Sequence, residues 1–446
     1  MGKEESMLVN IAASVVVWFV VIVSLTRVLC NAGLTENKKG NKVLGWILQK
    51  KGTYTPYEPG WKDYLCVAGA ALALRIAVYI ISAIAMRCYM DDGTPVDFSC
   101  FLNEWLKWDA NNYVRIATLG YGGYTEEING ETLYTTLAFF PLYAWMIKLV
   151  NLVISNVNLA ALIASTACFV GGCCYFYGAI AMDYGKSIAK KSLAFLAVFP
   201  FGLFYGAMMP ESAFFLTVSA CFYYTRKHKW AAAGIAGALA GLSRMQGIIL
   251  IAVTGAEWLE YYKPITMIKE KRIGELMKNI FTKAIWIPFM LVGLLIYLGI
   301  NYQITGNPFQ FLEYQSVVWG NGAQYFGKTV SEVWNRAFTN ELAGVTRFTA
   351  GIAAIGFFIM AVVLLVYGLR RVHNRYILFL VFYVIMNYMQ TWLISSGRYM
   401  SVAFPMFLIL GVFSEKHKNI GTLVLIISSM LFGVILYAFL TWRQIL

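Results

Sequence analysis

An all-α polytopic membrane protein is the fold class this sequence predicts, and three observations carry the prediction. Of its 446 residues, 59% are hydrophobic and only 13% charged, against about 25% charged in soluble domains. Apolar runs long enough to cross roughly 30 Å of hydrocarbon recur along the whole chain. Six short clusters of lysine and arginine separate those runs. A membrane β-barrel would need alternating strands, and the pattern is absent.

The expected spans are 7–29, 63–86, 160–182, 192–209, 211–225, 231–244, 245–260, 284–302, 346–368, 376–394, 399–413 and 419–440, about twelve helices. No small-residue cleavage site follows the first run, so it is read as a retained helix rather than a signal peptide. The net charge of +13 suggests a nucleic-acid partner at first sight. The cations, however, border apolar runs: Lys38, Lys39, Lys42, Lys50, Lys51 and Lys62, then Lys186, Lys190 and Lys191, then Arg226, Lys227 and Lys229. Further clusters fall within 263–283, at Arg370, Arg371 and Arg375, and at Lys416 and Lys418. By the positive-inside rule these are cytoplasmic loops that set orientation and meet lipid headgroups, with no nucleic-acid role.

That rule also decides residues 137–153. Their apolar sequence looks like a span, but a crossing there would turn Lys186, Lys190, Lys191 and every later basic loop outward. Read as a non-crossing interfacial helix, it leaves residues 87–159 as one large extracytoplasmic loop. This loop is acidic: Asp91, Asp92, Asp97, Glu104, Asp109, Glu126, Glu127 and Glu131. A second outer segment, 303–345, is rich in aromatics and glycine, with Tyr314, Trp319, Tyr325, Phe326 and Trp334. The chain then divides into an N-terminal helix with its basic loop, 1–62, and a membrane domain, 63–446.

The candidate chemistry sits in the first outer loop. From Phe98 to Ala117 apolar residues recur at helical spacing, and Asp109 falls on that stripe, four after Trp105 and four before Tyr113. Two readings fit a carboxylate there. Desolvation could raise its pKa toward that of a useful base, or an arginine or backbone NH groups could hold it as a structural anion. Topology carries Glu211, Arg244 and Arg398 to the same face, each at an outer helix end. Ionisable residues at membrane depth are functional candidates, though each could also be a helix-end anchor. Arg75, inside span 63–86, reads as structural.

Other chemistries drop out. The three histidines, His228, His373 and His417, all lie in cytoplasmic basic clusters, so neither a Ser-His-Asp site nor a histidine zinc site fits the outer face. The eight cysteines show no CxxC or Cys/His metal spacing; Cys88 and Cys100, both in the outer loop, are the pair open to a disulfide. No P-loop or GxGxxG precedes a helix. Carboxylate chemistry, with arginines available for a phosphate, is what remains.

Trp108-Asp109-x-x-x-Tyr113-x-Arg115-Ile116-Ala117-x-x-Gly120-Tyr121, followed by Ala138-Phe139-Phe140-Pro141-Leu142-Tyr143, resembles the first loop of the PIG-V type mannosyltransferases. Pro210-Glu211-Ser212 with Phe214-Phe215, Leu242-Ser243-Arg244-x-x-Gly247, and Gly397-Arg398-Tyr399 with Pro405 match in order and spacing. The resemblance covers about residues 63–413. Met209-Pro210 departs from that family's aromatic-Thr before the glutamate, and 1–62 has no counterpart. The resemblance implies a GT-C fold and transfer of a hexose, mannose, from a polyprenyl-phosphate carrier to an acceptor hydroxyl, with inversion. The basic loops place this on the extracytoplasmic side, and the lack of an N-x-S/T sequon is compatible with a bacterial cell membrane.

Residue by residue, it implies Asp109 as the base and Arg244 or Arg398 as partner of the leaving phosphate. Glu211 would bind sugar or acceptor hydroxyls, while Trp108, Tyr113, Arg115, Tyr121, Phe140, Tyr143 and Tyr399 would line the substrate cleft. The lipid-linked donor removes the need for a nucleotide cofactor, and no metal is expected. The acceptor, whether glycan, glycolipid or protein, stays open. A transporter or flippase of lipid-linked sugars is the rival reading. Related halves and mid-membrane helix breaks would mark it, and the sequence shows neither.

Overall fold

Helix length divides the chain into two populations. The computed structural model describes residues 3–35, 42–48, 52–89, 97–128, 130–339 and 342–441; Lys38, Lys39, Lys50, Lys51, Asp91 and Asp92 lie outside them. Among the described residues, six helices are long and apolar enough to cross a membrane: Glu4–Asn31, Trp61–Cys88, Val157–Tyr184, Ile273–Thr305, Gly344–Gly368 and Lys418–Leu440. The chain is an α-helical, multi-span membrane protein. Each long helix falls on one expected span.

The other six expected spans are shorter helices. Lys186–Ala197, Glu211–Arg226, Trp230–Ser243, Ile249–Tyr262, Asn374–Asn387 and Pro405–Lys416 have 12 to 16 residues. At 1.5 Å per residue they reach only about 18–24 Å, less than the hydrocarbon thickness. Burial separates the two populations further. The long helices turn large apolar side chains outward, such as Ile80, Ile84, Val363, Val366, Ile426 and Met430. The short helices are buried on most sides, and Ile377, Phe379, Leu380 and Tyr383 are sealed within the bundle. Long helices therefore form the lipid-facing wall and short ones the filling.

The basic loops converge on one end of this bundle. Lys186 meets Asp63 at 2.8 Å, Lys191 meets Glu415 at 2.6 Å and Lys227 meets Glu58 at 3.3 Å. Deeper in the same end, Asp183 takes Arg226 at 2.5 Å and also binds Arg375, which reaches Glu257 at 2.5 Å. The helix Glu211–Arg226 starts at the opposite cluster and ends here, about 22 Å away along its axis.

One local expectation changes, and two further features come from the structure. The helix expected from Phe98 to Ala117 is two helices, Phe98–Trp105 and Ala110–Leu119. Between them Lys107 is fully buried, donating to the Phe439 carbonyl at 2.7 Å and the Leu440 carbonyl at 3.2 Å, with Glu104 at 2.6 Å. Holding the ammonium against that distant helix end breaks the periodicity. Cys88 is a free thiol, so it has no disulfide with Cys100. The outer loop also carries a small antiparallel hairpin, Glu126–Ile128 with Glu131–Leu133. The stretch 137–153, expected to be a non-crossing helix, holds a 14-residue helix, Pro141–Ile154. Its first turn lies beside the N-terminal third of Val157–Tyr184, where the Tyr143 hydroxyl meets Ser165 at 2.7 Å.

Candidate functional site

Irregular backbone inside a bilayer is tolerated only where protein satisfies it or where it lines a cavity. Three largely irregular stretches, 198–210, 244–248 and 388–404, interrupt the short helices, the last holding one short helix, Ser396–Ser401. The first is satisfied from its surroundings. Arg75 Nη1 donates to the Gly202 carbonyl at 3.1 Å, Tyr79 to Gly206 at 2.9 Å and Ser165 to Ala207 at 2.7 Å. The Tyr205 hydroxyl caps the Ser401 carbonyl, tying the first stretch to the third. Arg75 thus braces backbone, as its position within a span suggests.

Each stretch delivers one charged side chain to the same point. Glu211 opens its helix directly after Pro210. Arg244 sits in extended backbone, φ −158°, as the chain leaves Trp230–Ser243. The turn behind it packs so closely that a Cβ on Gly247 would lie 2.4 Å from the Ala240 carbonyl carbon. Arg398 follows Gly397, whose Cβ would meet the Phe201 ring at 2.4 Å. Only glycine lets either turn close, which explains both motif glycines.

The geometry is an alternating ion chain. Arg398 Nη1 lies 2.5 Å from Asp109 Oδ2, and Arg398 Nε lies 2.5 Å from Glu211 Oε1. Arg244 Nη2 approaches the same Glu211 oxygen at 3.1 Å. The sequence-predicted residues Asp109, Glu211, Arg244 and Arg398 are therefore brought together. Burial favours the neutral form of Arg398, but Glu211 and then Asp109 outweigh it and raise its pKa above the ordinary value. It stays charged. Of the two readings of Asp109, an arginine does hold it, while no side-chain cap to the following helix forms. Its side chain keeps 32% exposure, against 0% for Glu211.

The ion chain is incomplete on its inner side. Glu211 Oε2 and Arg244 Nη1 are buried without a protein partner. Such atoms cost about 1–3 kcal/mol each and call for an explanation. Strain accompanies them: Trp108, beside Asp109, has φ +50°. A bulky residue in that region costs about 1–3 kcal/mol, and such strain gathers at functional sites.

Asp109 opens onto a cavity of about 430 Å³. Trp108 and Tyr399 line it as expected, and the Tyr399 ring lies under the Arg244 guanidinium at 4.9 Å. Tyr113 stands behind, its ring edge-on to Phe139 and Tyr143 at 5.4 and 5.5 Å; burial pushes its phenol pKa up. Four expected residues lie elsewhere. Arg115 faces away, 3.5 Å from Glu126 and over the Tyr124 ring. Tyr121 donates to the Phe139 carbonyl at 2.6 Å, Phe140 stacks on Tyr297 at 4.0 Å, and Tyr143 bonds Ser165 and the Ala161 carbonyl. These three brace the loop instead of lining the cleft.

Sequence reading missed Asn112, Gln315, Asn321, Gln390 and Trp392, which also line the cavity. The aromatic richness of 303–345 signalled only Trp319. Tyr325 bonds Ser14, and Trp334 packs tilted against Phe338 at 4.5 Å, both outside the cavity lining. Among the described residues, no three His, Cys, Asp or Glu side chains group to hold a metal ion.

No family model and no curated protein matches the sequence. Among solved structures, the chain is similar to the archaeal oligosaccharyltransferase AglB from Archaeoglobus fulgidus in complex with an inhibitory peptide and a dolichol-phosphate. Identity is 12% and the TM-score 0.39, over 83% of this chain and 56% of that one. It is also similar to the Archaeoglobus fulgidus oligosaccharyltransferase tethered with an acceptor peptide containing the NVT sequon via a disulfide bond. There, identity is 13% and the TM-score 0.40, over 83% and 55%. The chain spans about half the length of these two proteins.

Proposed function

We propose that the chain is a GT-C type membrane glycosyltransferase that moves a hexose, mannose by its resemblance to the PIG-V type enzymes, from a polyprenyl-phosphate carrier to an acceptor hydroxyl. One observation carries this reading. Asp109, held by Arg398, is the partly exposed end of an otherwise buried ion chain and faces a cavity walled by aromatic rings.

In the transfer, the acceptor oxygen attacks C1 of the sugar from the face opposite the phosphate. Its proton passes to the Asp109 carboxylate. The C1–O bond to phosphate breaks, and its electron pair leaves with the polyprenyl phosphate. Arg398 and Arg244 neutralise the charge that grows on the phosphate, a task suited to guanidinium forks. Glu211, fully buried against both arginines, is assigned here to holding them in place, instead of to binding sugar hydroxyls.

Arrival of the donor phosphate frees the carboxylate: Nη1 turns from Asp109 to the phosphate while Nε stays on Glu211, so Asp109 is open to the acceptor hydroxyl when a donor is bound. No step needs a nucleotide or a metal. In this arrangement the six short helices complete twelve crossings, and residues 87–159 and 303–345 form the outer face of the membrane domain 63–446. The site then opens away from the cytoplasm of a bacterial cell.

The test is donor turnover. Purified protein given polyprenyl-phosphate mannose and polyprenyl-phosphate glucose in turn is expected to release polyprenyl phosphate from the mannose donor. A protein that releases it from neither, with or without added acceptors, is not this enzyme.

A further inference from the structure

The proposed function leaves the acceptor open, and the cavity outside Asp109 narrows it. Trp319 and Trp392 supply flat rings to the wall of the cavity that Asp109 faces. Trp319 is 39% exposed, its ring held edge-on by Phe139 at 5.6 Å. Trp392 is backed by the Arg336 guanidinium at 4.5 Å, which fixes the plane of its ring. Between these rings the polar groups are carboxamides, chiefly Gln315, Asn321 and Gln390.

The carboxamides sit on a rigid frame. Gln324 N donates to the Met389 carbonyl at 2.7 Å, Thr391 N to Gly322 at 2.9 Å, and Ala323 pairs antiparallel with Gln390. This short ladder joins the second outer segment to the stretch that delivers Arg398. Asn321 Nδ2 donates to Gln390 Oε1 at 3.0 Å, which leaves the Gln390 NH2 group available, and Asn321 Oδ1 is buried without a partner. No lysine or arginine is among the lining residues, and the one carboxylate, Asp109, is matched by Arg398.

A charge-balanced cavity with flat aromatic walls and groups that both donate and accept hydrogen bonds complements a pyranose. Its axial C–H faces pack on rings, and its hydroxyls donate and accept in turn. An anionic acceptor would find no cation beyond the Arg398–Arg244 pair that the donor phosphate occupies, and a cationic peptide only a carboxylate already paired. We infer that this cavity is the acceptor subsite and that the acceptor is a neutral glycan, its terminal hexose held between Trp319, Trp392 and the carboxamides with one hydroxyl toward Asp109. The inference rests on the reading of Asp109 as the base.

Saturation-transfer difference NMR on the full chain in detergent tests it, with a neutral mannobiose as probe and glucuronic acid and a serine-containing cationic peptide as comparators. Mannobiose is expected to give a signal and the comparators none. Trp319→Ala and Gln315→Leu, checked for unchanged thermal unfolding, are each expected to weaken mannobiose about tenfold, the effect of one lost aromatic or polar contact. The signal should persist when polyprenyl-phosphate mannose is added, since donor and acceptor bind together. Absence of mannobiose binding, preference for the peptide, or indifference to both substitutions overturns the inference, and displacement by the donor assigns the cavity to the donor sugar instead. Polyprenyl phosphate release without mannobiose binding would remove this subsite and leave the transferase intact. Mannobiose binding without any release would keep the subsite and remove the transferase.

Discussion

Two ion chains, each built on two arginines, an aspartate and a glutamate, stand at the two ends of one buried helix, and they differ in how fully their carboxylates are bonded. At the basic end, Asp183 gives Oδ1 to Arg226 and Oδ2 to Arg375 and Tyr376. Glu257 gives one oxygen to Arg375 and the other to His228. At the other end, Arg398 links Asp109 and Glu211 and Arg244 joins it, yet Glu211 Oε2 and Arg244 Nη1 have no partner and Asp109 faces a cavity. Cavity size does not separate the two ends, because the basic end has a cavity of about 500 Å³. Saturation does. At the basic end all four carboxylate oxygens of Asp183 and Glu257 are bonded, although Arg375 Nε is buried without a partner; at the other end a buried carboxylate oxygen itself is left open, poised to take a further partner.

Breaking each chain in turn should expose that difference. Asp183→Asn leaves Arg375 and Arg226 short of a buried counter-charge, which costs about 3–5 kcal/mol. Thermal unfolding should show a large drop, and the loss of activity should only follow the loss of folded protein. Arg398→Lys keeps the charge but loses the fork that spans Asp109 and Glu211. Transfer is expected to fall about 10²-fold, the scale of one lost electrostatic donor, with unfolding changed far less than in Asp183→Asn. Arg115→Ala sharpens the limits of the site. Its half-exposed pair with Glu126 lies outside both chains, so stability should change by about 0–1 kcal/mol and transfer should stay at the wild-type rate.

What was legible in the sequence follows from the range of the interactions. Asp109, Glu211, Arg244 and Arg398 lie far apart, but the alternation of apolar runs and basic loops fixes the end of the bundle at which each emerges. Hydropathy alone therefore predicts their convergence. The break at Lys107 escaped because its partners, the carbonyls of Phe439 and Leu440, lie more than 300 residues away. Gln390 escaped for a related reason, since a backbone ladder between residues 322–324 and 389–391 places it and such pairing leaves no periodicity. Tyr121, Phe140 and Tyr143 fit the motif yet brace the loop, because an aromatic with a hydroxyl or a stacking partner serves packing as readily as a cleft. The span expected over 192–209 ends early because Pro200 and Gly202 open it into irregular backbone, so its helix stops at Ala197.

The most direct measurement pairs activity with stability in Asp109→Asn. General-base removal is worth about 10²–10⁴ in rate, and Asp109 is partly exposed with a single arginine partner. Release of polyprenyl phosphate from polyprenyl-phosphate mannose should fall by that factor while the unfolding midpoint stays near wild type. Turnover at the wild-type rate by a well-folded Asp109→Asn protein would contradict the assignment of this open ion chain as the place where transfer occurs.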